Sequence, residues 1–306
     1  MRWPAAAGMR DLPLKGRPEM SLVERSARFR AARAQARAVS SEPAGRPSVF
    51  ARLEGRLAGW ILPVLLVVAW EVLSRWGYIA PNVLPAPSAV ALAGWQALKS
   101  GELVHHMTVS AARALAGLLV GGVIGLVFGI ANGLSALSLR YTDTTLQMVR
   151  NVPHLALIPL VILWFGIDEE AKLFLVALGV FFPIYINTLH GVRTVDPQLI
   201  EMGRVYGMTP LTLFRRVILP GALPSIFVGL RFALGIMWLT LIVAETIAAS
   251  AGLGYMAMQA REFLLVDVVV LAILIYALLG KLADVLTAVL EHRCLQWHPA
   301  FHTPKN

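Results

Sequence analysis

The residues with chemistry to offer are few, and most of them lie in apolar surroundings. Arg150, His154 four residues on, and Arg231 sit inside stretches that read as membrane spans. An arginine near the centre of a bilayer costs at least ~2.5 kcal/mol on insertion scales, so each needs a partner or a water-filled cavity. One reading assigns Arg150, His154 and Arg231 to a pathway for an anion, where a cation offsets the low dielectric. The other has each guanidinium snorkel or bind a carbonyl or carboxylate on a neighbouring helix, with His154 simply packed. Glu245 can meet either arginine only if helix packing brings them together. Glu71 with Arg75 and Lys281 with Asp284 are spaced as local i,i+4 and i,i+3 pairs.

Catalysis finds little support. Gly280-Lys281 is followed by Leu282 inside an apolar run, so it is no phosphate-binding loop. No clustered histidines and carboxylates suggest a metal, and there is no G-x-S-x-G elbow. One cysteine, Cys294, excludes an intrachain disulfide and any multi-cysteine metal site. We therefore expect no catalytic residue, no metal and no cofactor bound by this chain. Any energy source must lie elsewhere.

The elements that hold these residues are hydrophobic. Of 306 residues 57% are hydrophobic and 15% charged, with mean hydropathy +0.68, whereas soluble domains run to about a quarter charged. Several runs approach the ~20 apolar residues that cross a bilayer. The expected architecture is all-α and polytopic, with six spans near 58–76, 111–133, 144–165, 171–189, 222–245 and 265–290. A Pro-rich link and a short helix ending near Lys99 separate the first two. Twelve of the 27 Lys and Arg lie before residue 57, against five acids. Beside a membrane span such a bias marks a cytoplasmic segment rather than a nucleic-acid partner. With the amino terminus inside, residues 1–56, the Arg140 turn, 190–220 and the tail 293–306 are cytoplasmic and hold about 19 basic residues. The acidic turn 166–170 and the connection 246–264 fall outside. Residues 1–56 have no apolar core of a signal peptide. Within them 26–41 reads either as a basic amphipathic helix on anionic lipid or as a solvated, disordered tail.

Two stretches stand out within that framework. Gly117, Gly121, Gly125, Gly129 and Gly133 recur every fourth residue, a face on which a neighbouring helix can pack closely. The segment 196–220 is the one sizeable polar insert of the second half. Asp196-Pro197 and Thr209-Pro210 are helix starts, and Gly207 suits a left-handed helix end. Pro220 and Pro224 would then turn the chain sharply into the fifth span. Met202, Val205, Tyr206, Leu211, Phe214 and Val217 give this insert more apolar surface than a solvated loop needs, as a docking site would.

The same insert carries a resemblance. "E-M-G-x3-G-x9-V-I-L-P", from Glu201 to Pro220, is similar to the cytoplasmic EAA signature of ABC importer permeases. Glu201, Gly207, Leu219 and Pro220 match in register, while Met202, Gly203 and Val217 depart mildly. Residues 57–300 resemble the aliphatic-sulfonate type of the nitrate/sulfonate/taurine permease family, in "RNVPHLALIPLVILWFGIDE" and "LPGALPSIFVGLRFALGIMWLTLIVAET" among other passages. The resemblance implies a type I importer permease fold over 57–292, with 196–220 as a coupling helix seated on an ATPase. Glu201 would be a polar contact there and Gly207 the turn. It further implies a second permease copy, two cytoplasmic ATPase subunits using ATP and Mg, and an extracytoplasmic binding protein that selects the substrate, all in a bacterial inner membrane. Taurine, nitrate or another small anion is the alternative cargo. A self-contained secondary transporter would instead want midplane carboxylates and inverted repeats.

Overall fold

The computed structural model describes residues 49–297, and every regular element among them is helical. α1 runs Val49–Arg75, α2 Pro87–Lys99, α3 Glu102–Leu134 and α4 Ala136–Arg150. A 3-10 turn, His154–Leu157, leads into α5, Ile158–Phe165, followed by α6, Glu169–Arg193. Then come α7, Pro197–Val205, α8, Pro210–Leu213, and α9, Leu219–Ala248. The chain ends with α10, Leu253–Glu262, and α11, Val266–Cys294. The basic stretch 26–41 and residues from 298 on lie outside the described residues. Helix α1 starts at Val49, eight residues before the expected boundary at 57.

Among the described residues, α3, α6, the run Pro210–Ile247 and α11 are each long and apolar enough to cross a membrane. The pair Ala136–Arg150 and His154–Phe165 qualifies as a fifth span if counted as one, bent by 78°. The third span expected over 144–165 is thus two helices with a bend between them, and it begins earlier, at Ala136. Pro153 supplies no amide and disfavours helix at the residue before it, so α4 stops at Arg150 and the chain restarts after the proline.

Chain up to Leu65 forms one unit and chain from Leu66 on another. Within the second, Glu71 accepts hydrogen bonds from the Ser88 amide at 3.0 Å and the Ser88 hydroxyl at 2.8 Å. The expected local pair is also present, with Arg75 Nε 2.5 Å from Glu71. One side chain thereby caps α2 and ties the end of α1 to it.

Helix α6 is the centre of this unit, with α3 on one side and α9 on the other. Ala114, Val176, Val180, Ile184, Ala233 and Met237 from these three helices form one buried cluster. The glycines of α3 set the spacing. A Cβ at Gly125 would sit 2.7 Å from the Phe181 carbonyl oxygen and 3.2 Å from the Tyr185 amide nitrogen. One at Gly129 would lie 2.9 Å from the Tyr185 carbonyl, and one at Gly133 2.6 Å from Val192 Cγ1. Gly117 and Gly121 abut Val176 and Ala177 in the same row. The two backbones touch because nothing stands between them. A second cluster joins α2, α10 and α11 through Val90, Leu253, Met256, Leu271 and Tyr276.

This contact generates a test. Gly125→Val places side-chain atoms against the α6 backbone, which cannot retreat without moving its other neighbour α9. Overpacking of this kind costs ~1–3 kcal/mol, so purified Gly125→Val protein should melt several degrees lower. Gly235 has open space around its Cβ position, and Gly235→Ala should melt no lower than the parent. Equal melting temperatures for both variants would refute the glycine-packed interface.

Candidate functional site

The most elaborate polar arrangement was not among the sequence expectations. Glu245, near the end of α9, is 1% exposed, and Arg113 of α3 is 8% exposed. Arg113 Nη1 donates to Glu245 at 2.8 Å. Glu245 also accepts from the Ser110 hydroxyl, the Tyr276 hydroxyl, both at 2.8 Å, and the Gly254 amide at 2.9 Å. The Gly252 amide donates to His106 Nδ1 at 3.1 Å and the Leu253 amide to Ser110 Oγ at 2.8 Å. The amides that begin α10, which have no partner within their own helix, are thus met by side chains of α3 and α9. The carboxylate lies at the positive end of that helix. Gly252 (φ 117°) and Gly254 make room, since a Cβ at Gly254 would fall 2.6 Å from that of Glu245.

Arg113 reaches outward as well. Its Nε and Nη2 each lie 2.6 Å from an oxygen of Glu169, a side-on bidentate pair, and Nη1 donates to the Ala251 carbonyl at 2.5 Å. Lys172, 2% exposed, donates to the Ile167 and Asp168 carbonyls at 3.1 and 3.3 Å and lies 3.3 Å from Glu169. Two cations face two carboxylates. Glu245 therefore pairs with Arg113, not with Arg150 or Arg231, because α3 and α9 bring the first two together. The signal was present in the sequence: His106, Ser110 and Arg113 share the helical face that continues into Gly117.

Arg150 and His154 do come together. The 78° break between α4 and α5 opens a cavity of about 390 Å³, which both residues line with Gly179, Asn187, Phe232 and Ile236 among others. His154 Nε2 lies 2.9 Å from the hydroxyl of Thr240, which is fully buried. A Cβ at Gly179 would come within 3.3 Å of that ring nitrogen, so the glycine lets the ring lie against α6. Arg150 is exposed. Arg231 is not part of this group. Its Nη2 lies 2.5 Å from Glu291 and its Nε 3.5 Å from Asp284, both on α11, and these carboxylates neutralise it. Of the two readings of Arg231, this is the one in which it binds a carboxylate on a neighbouring helix, a contact that spacing along its own helix does not reveal. Its neighbour Phe232 faces the cavity instead. The local Lys281–Asp284 pair is present at 3.2 Å.

The 196–220 segment is built as two capped helices. The Asp196 side chain accepts from the Gln198 amide at 2.8 Å, and Pro197 opens α7. Gly207 turns with φ 73°, and Thr209 caps α8 through the Thr212 amide at 3.3 Å. Gly203 is buried where a Cβ would be 2.6 Å from Leu213, so the absence of a side chain there lets α7 pack on α8. Glu201 and Met202 are exposed. Met202, Val205, Tyr206 and Leu211 form exposed apolar surface, whereas Phe214 and Val217 pack inward on Ile218 and Ala222.

No sharp corner follows. From Pro210 the chain is continuously helical through a π-turn, Phe214–Ile218, into α9. The wider turn bonds the Leu219 amide to the Phe214 carbonyl and takes in Pro220, which has no amide of its own to offer. Leu219 and Pro220 are half-buried.

These features are those of a helical protein with several membrane-length apolar helices, and the comparisons supply its class. Residues 102–296 match the model of the binding-protein-dependent transport system inner membrane component, and the chain belongs to that family. It is 60% identical over 247 residues to SsuC of Escherichia coli (strain K12), named as an aliphatic sulfonates transport permease protein, covering 81% of this chain and 94% of that one. Identity is 44% to SsuC of Bacillus subtilis (strain 168), over 81% of this chain and 90% of the relative. It is 38% to the taurine transport system permease protein TauC of E. coli K12, over 78% and 88%. A crystal structure of an amino acid ABC transporter with histidines shares the fold, with TM-score 0.54 at 18% identity, over 65% of this chain and 96% of that one.

The buried ion pair makes a graded prediction. Glu245→Ala leaves Arg113 and the α10 amides short of their acceptor; breaking a buried pair costs ~3–5 kcal/mol. Glu169 is 62% exposed on its side chain, and water can replace it. Glu169→Ala should therefore destabilise far less than Glu245→Ala in thermal unfolding. The reverse order would show that the network does not hold α10 to α3 and α9.

Proposed function

We propose that this chain is the transmembrane permease subunit of an ATP-driven ABC importer that moves aliphatic sulfonates across the bacterial cytoplasmic membrane. The observation that carries the reading is 60% identity over 94% of the length of the E. coli protein named for aliphatic sulfonate transport. Helix α1 and the broken α4–α5 pair complete six spans with the four long helices, and both termini are cytoplasmic. A second copy of the chain completes a central pathway. Two cytoplasmic ATPase subunits bind ATP and Mg, and an extracytoplasmic binding protein delivers the substrate. The chain itself binds neither nucleotide nor metal, and it catalyses no reaction.

In this reading 196–220 is the coupling segment. Its exposed Met202, Val205, Tyr206 and Leu211 suit a groove on the ATPase, and Glu201 supplies a polar contact. The run from Pro210 into α9 is one continuous helix, so a displacement of the coupling segment moves α9 directly. The relatives named for taurine and nitrate transport favour a second cargo reading with the same architecture, a different small anion.

Two measurements test this. Uptake of alkanesulfonates into proteoliposomes should require the ATPase subunits, ATP and the binding protein together; uptake driven by an ion gradient alone would overturn the importer reading. Gly207→Val opposes the left-handed turn by ~1 kcal/mol or more and should leave insertion intact while abolishing substrate-stimulated ATP hydrolysis. Orientation is checked by labelling single cysteines in a Cys294-free background. Cysteines at Asp168 and Glu262 should react with an impermeant reagent from outside intact cells, and one at Tyr206 should not.

A further inference from the structure

The bend between α4 and α5 has a physical implication. Irregular backbone at membrane depth is tolerated only where protein buries it or where it lines a cavity. Here Val149, Arg150, Val152 and His154 at the break all line the same cavity. Opposite them stand α6 and α9, which contribute Leu178, Phe182, Ile186, Phe232 and Ile236. Arg150 is the one charged residue lining the cavity, His154 and Asn187 add hydrogen-bonding groups, and most of the remaining lining is aliphatic or aromatic. The Arg150 side chain has no ion pair or hydrogen bond among the described residues, unlike those of Arg75, Arg113 and Arg231.

We propose that this cavity is a transit site in the permease itself for an amphiphilic monoanion, a sulfonate head on an alkyl chain. Arg150 faces the head and the α6–α9 wall takes the chain. The inference rests on the importer reading and adds substrate discrimination by this chain to that of any binding protein. A volume of about 390 Å³ lies in the range of small-ligand sites. The guanidinium's planar donors suit the oxygens of a sulfonate. His154 is held at the wall by Thr240, and Asn187 by its bond to the Pro183 carbonyl at 2.8 Å, so both polar groups are pre-positioned. A single free cation also suits a site that must release its ligand, since conduction needs binding weak enough to leave.

The test is uptake by the complete importer in proteoliposomes, normalised to folded complex, with methanesulfonate and hexanesulfonate as substrates. Arg150→Gln should lower uptake of both by about tenfold, the loss of one charge-assisted hydrogen bond. Arg150→Lys, which keeps a point charge, should retain more uptake than Arg150→Gln even where either variant melts lower. Ile186→Trp shortens the apolar wall and should lower the ratio of hexanesulfonate to methanesulfonate uptake by about tenfold. The assay is run in neutral lipid and again with anionic lipid added. An Arg150→Gln defect present in neutral lipid supports the substrate site; a defect confined to anionic lipid would assign the cavity to a lipid headgroup and overturn it. Unchanged uptake in Arg150→Gln, or an unchanged ratio in Ile186→Trp, overturns it as well. If the wild-type importer takes up no alkanesulfonate, the functional reading fails instead, which is a separate outcome.

Discussion

The carboxylate of Glu245 is the point on which the arrangement around α10 depends. A charge so deeply buried is tolerable only if its oxygens are met by donors of fixed geometry. Four donors meet it, from Ser110, Arg113, Tyr276 and the Gly254 amide. They belong to α3, α10 and α11, while the acid itself sits on α9. Satisfying one side chain therefore fixes four helices relative to one another. Arg113 extends the constraint to the first turn of α6 through Glu169. Such a network adds little net stability over an apolar core of the same shape, but it penalises other arrangements of the helices. Its value here is in specifying one.

Close packing of α3 on α6 does complementary work. Between apolar helices in lipid there is no hydrophobic drive to associate, so contact area and backbone proximity must supply the attraction. The glycine row delivers both along the second half of α3. With α3 and α9 pressed on either side of α6, the irregularities collect elsewhere. They lie at the Pro153 break, which opens the cavity beside Arg150, and at the π-turn, which carries the 196–220 segment into α9.

Much of this was legible in the residues. The caps at Asp196 and Thr209, the left-handed turn at Gly207, the local Glu71–Arg75 and Lys281–Asp284 pairs, and the glycine face of α3 all depend on neighbours within a few positions. The proline effects were legible only in part. Pro153 breaks its helix, within a stretch whose composition reads as a single span. Pro220 and Pro224 do not interrupt theirs: a widened turn precedes the first and α9 continues through the second.

What the sequence by itself determined was the class of the chain and its local grammar: helical, membrane-embedded, with a capped two-helix insert. Composition and short-range spacing are sufficient for that, since helix periodicity and capping act over one or two turns. Only the tertiary structure decided which charges meet. Arg113 and Glu245 lie 132 positions apart, and Arg231 and Glu291 lie 60 apart. No periodicity relates such positions; they are joined by how α3, α9 and α11 pack. For the same reason, Arg150 and Arg231 look alike in sequence and differ in the fold. One is neutralised by a neighbouring helix, and the other stands at the edge of a cavity that exists because a proline interrupts the helix carrying it.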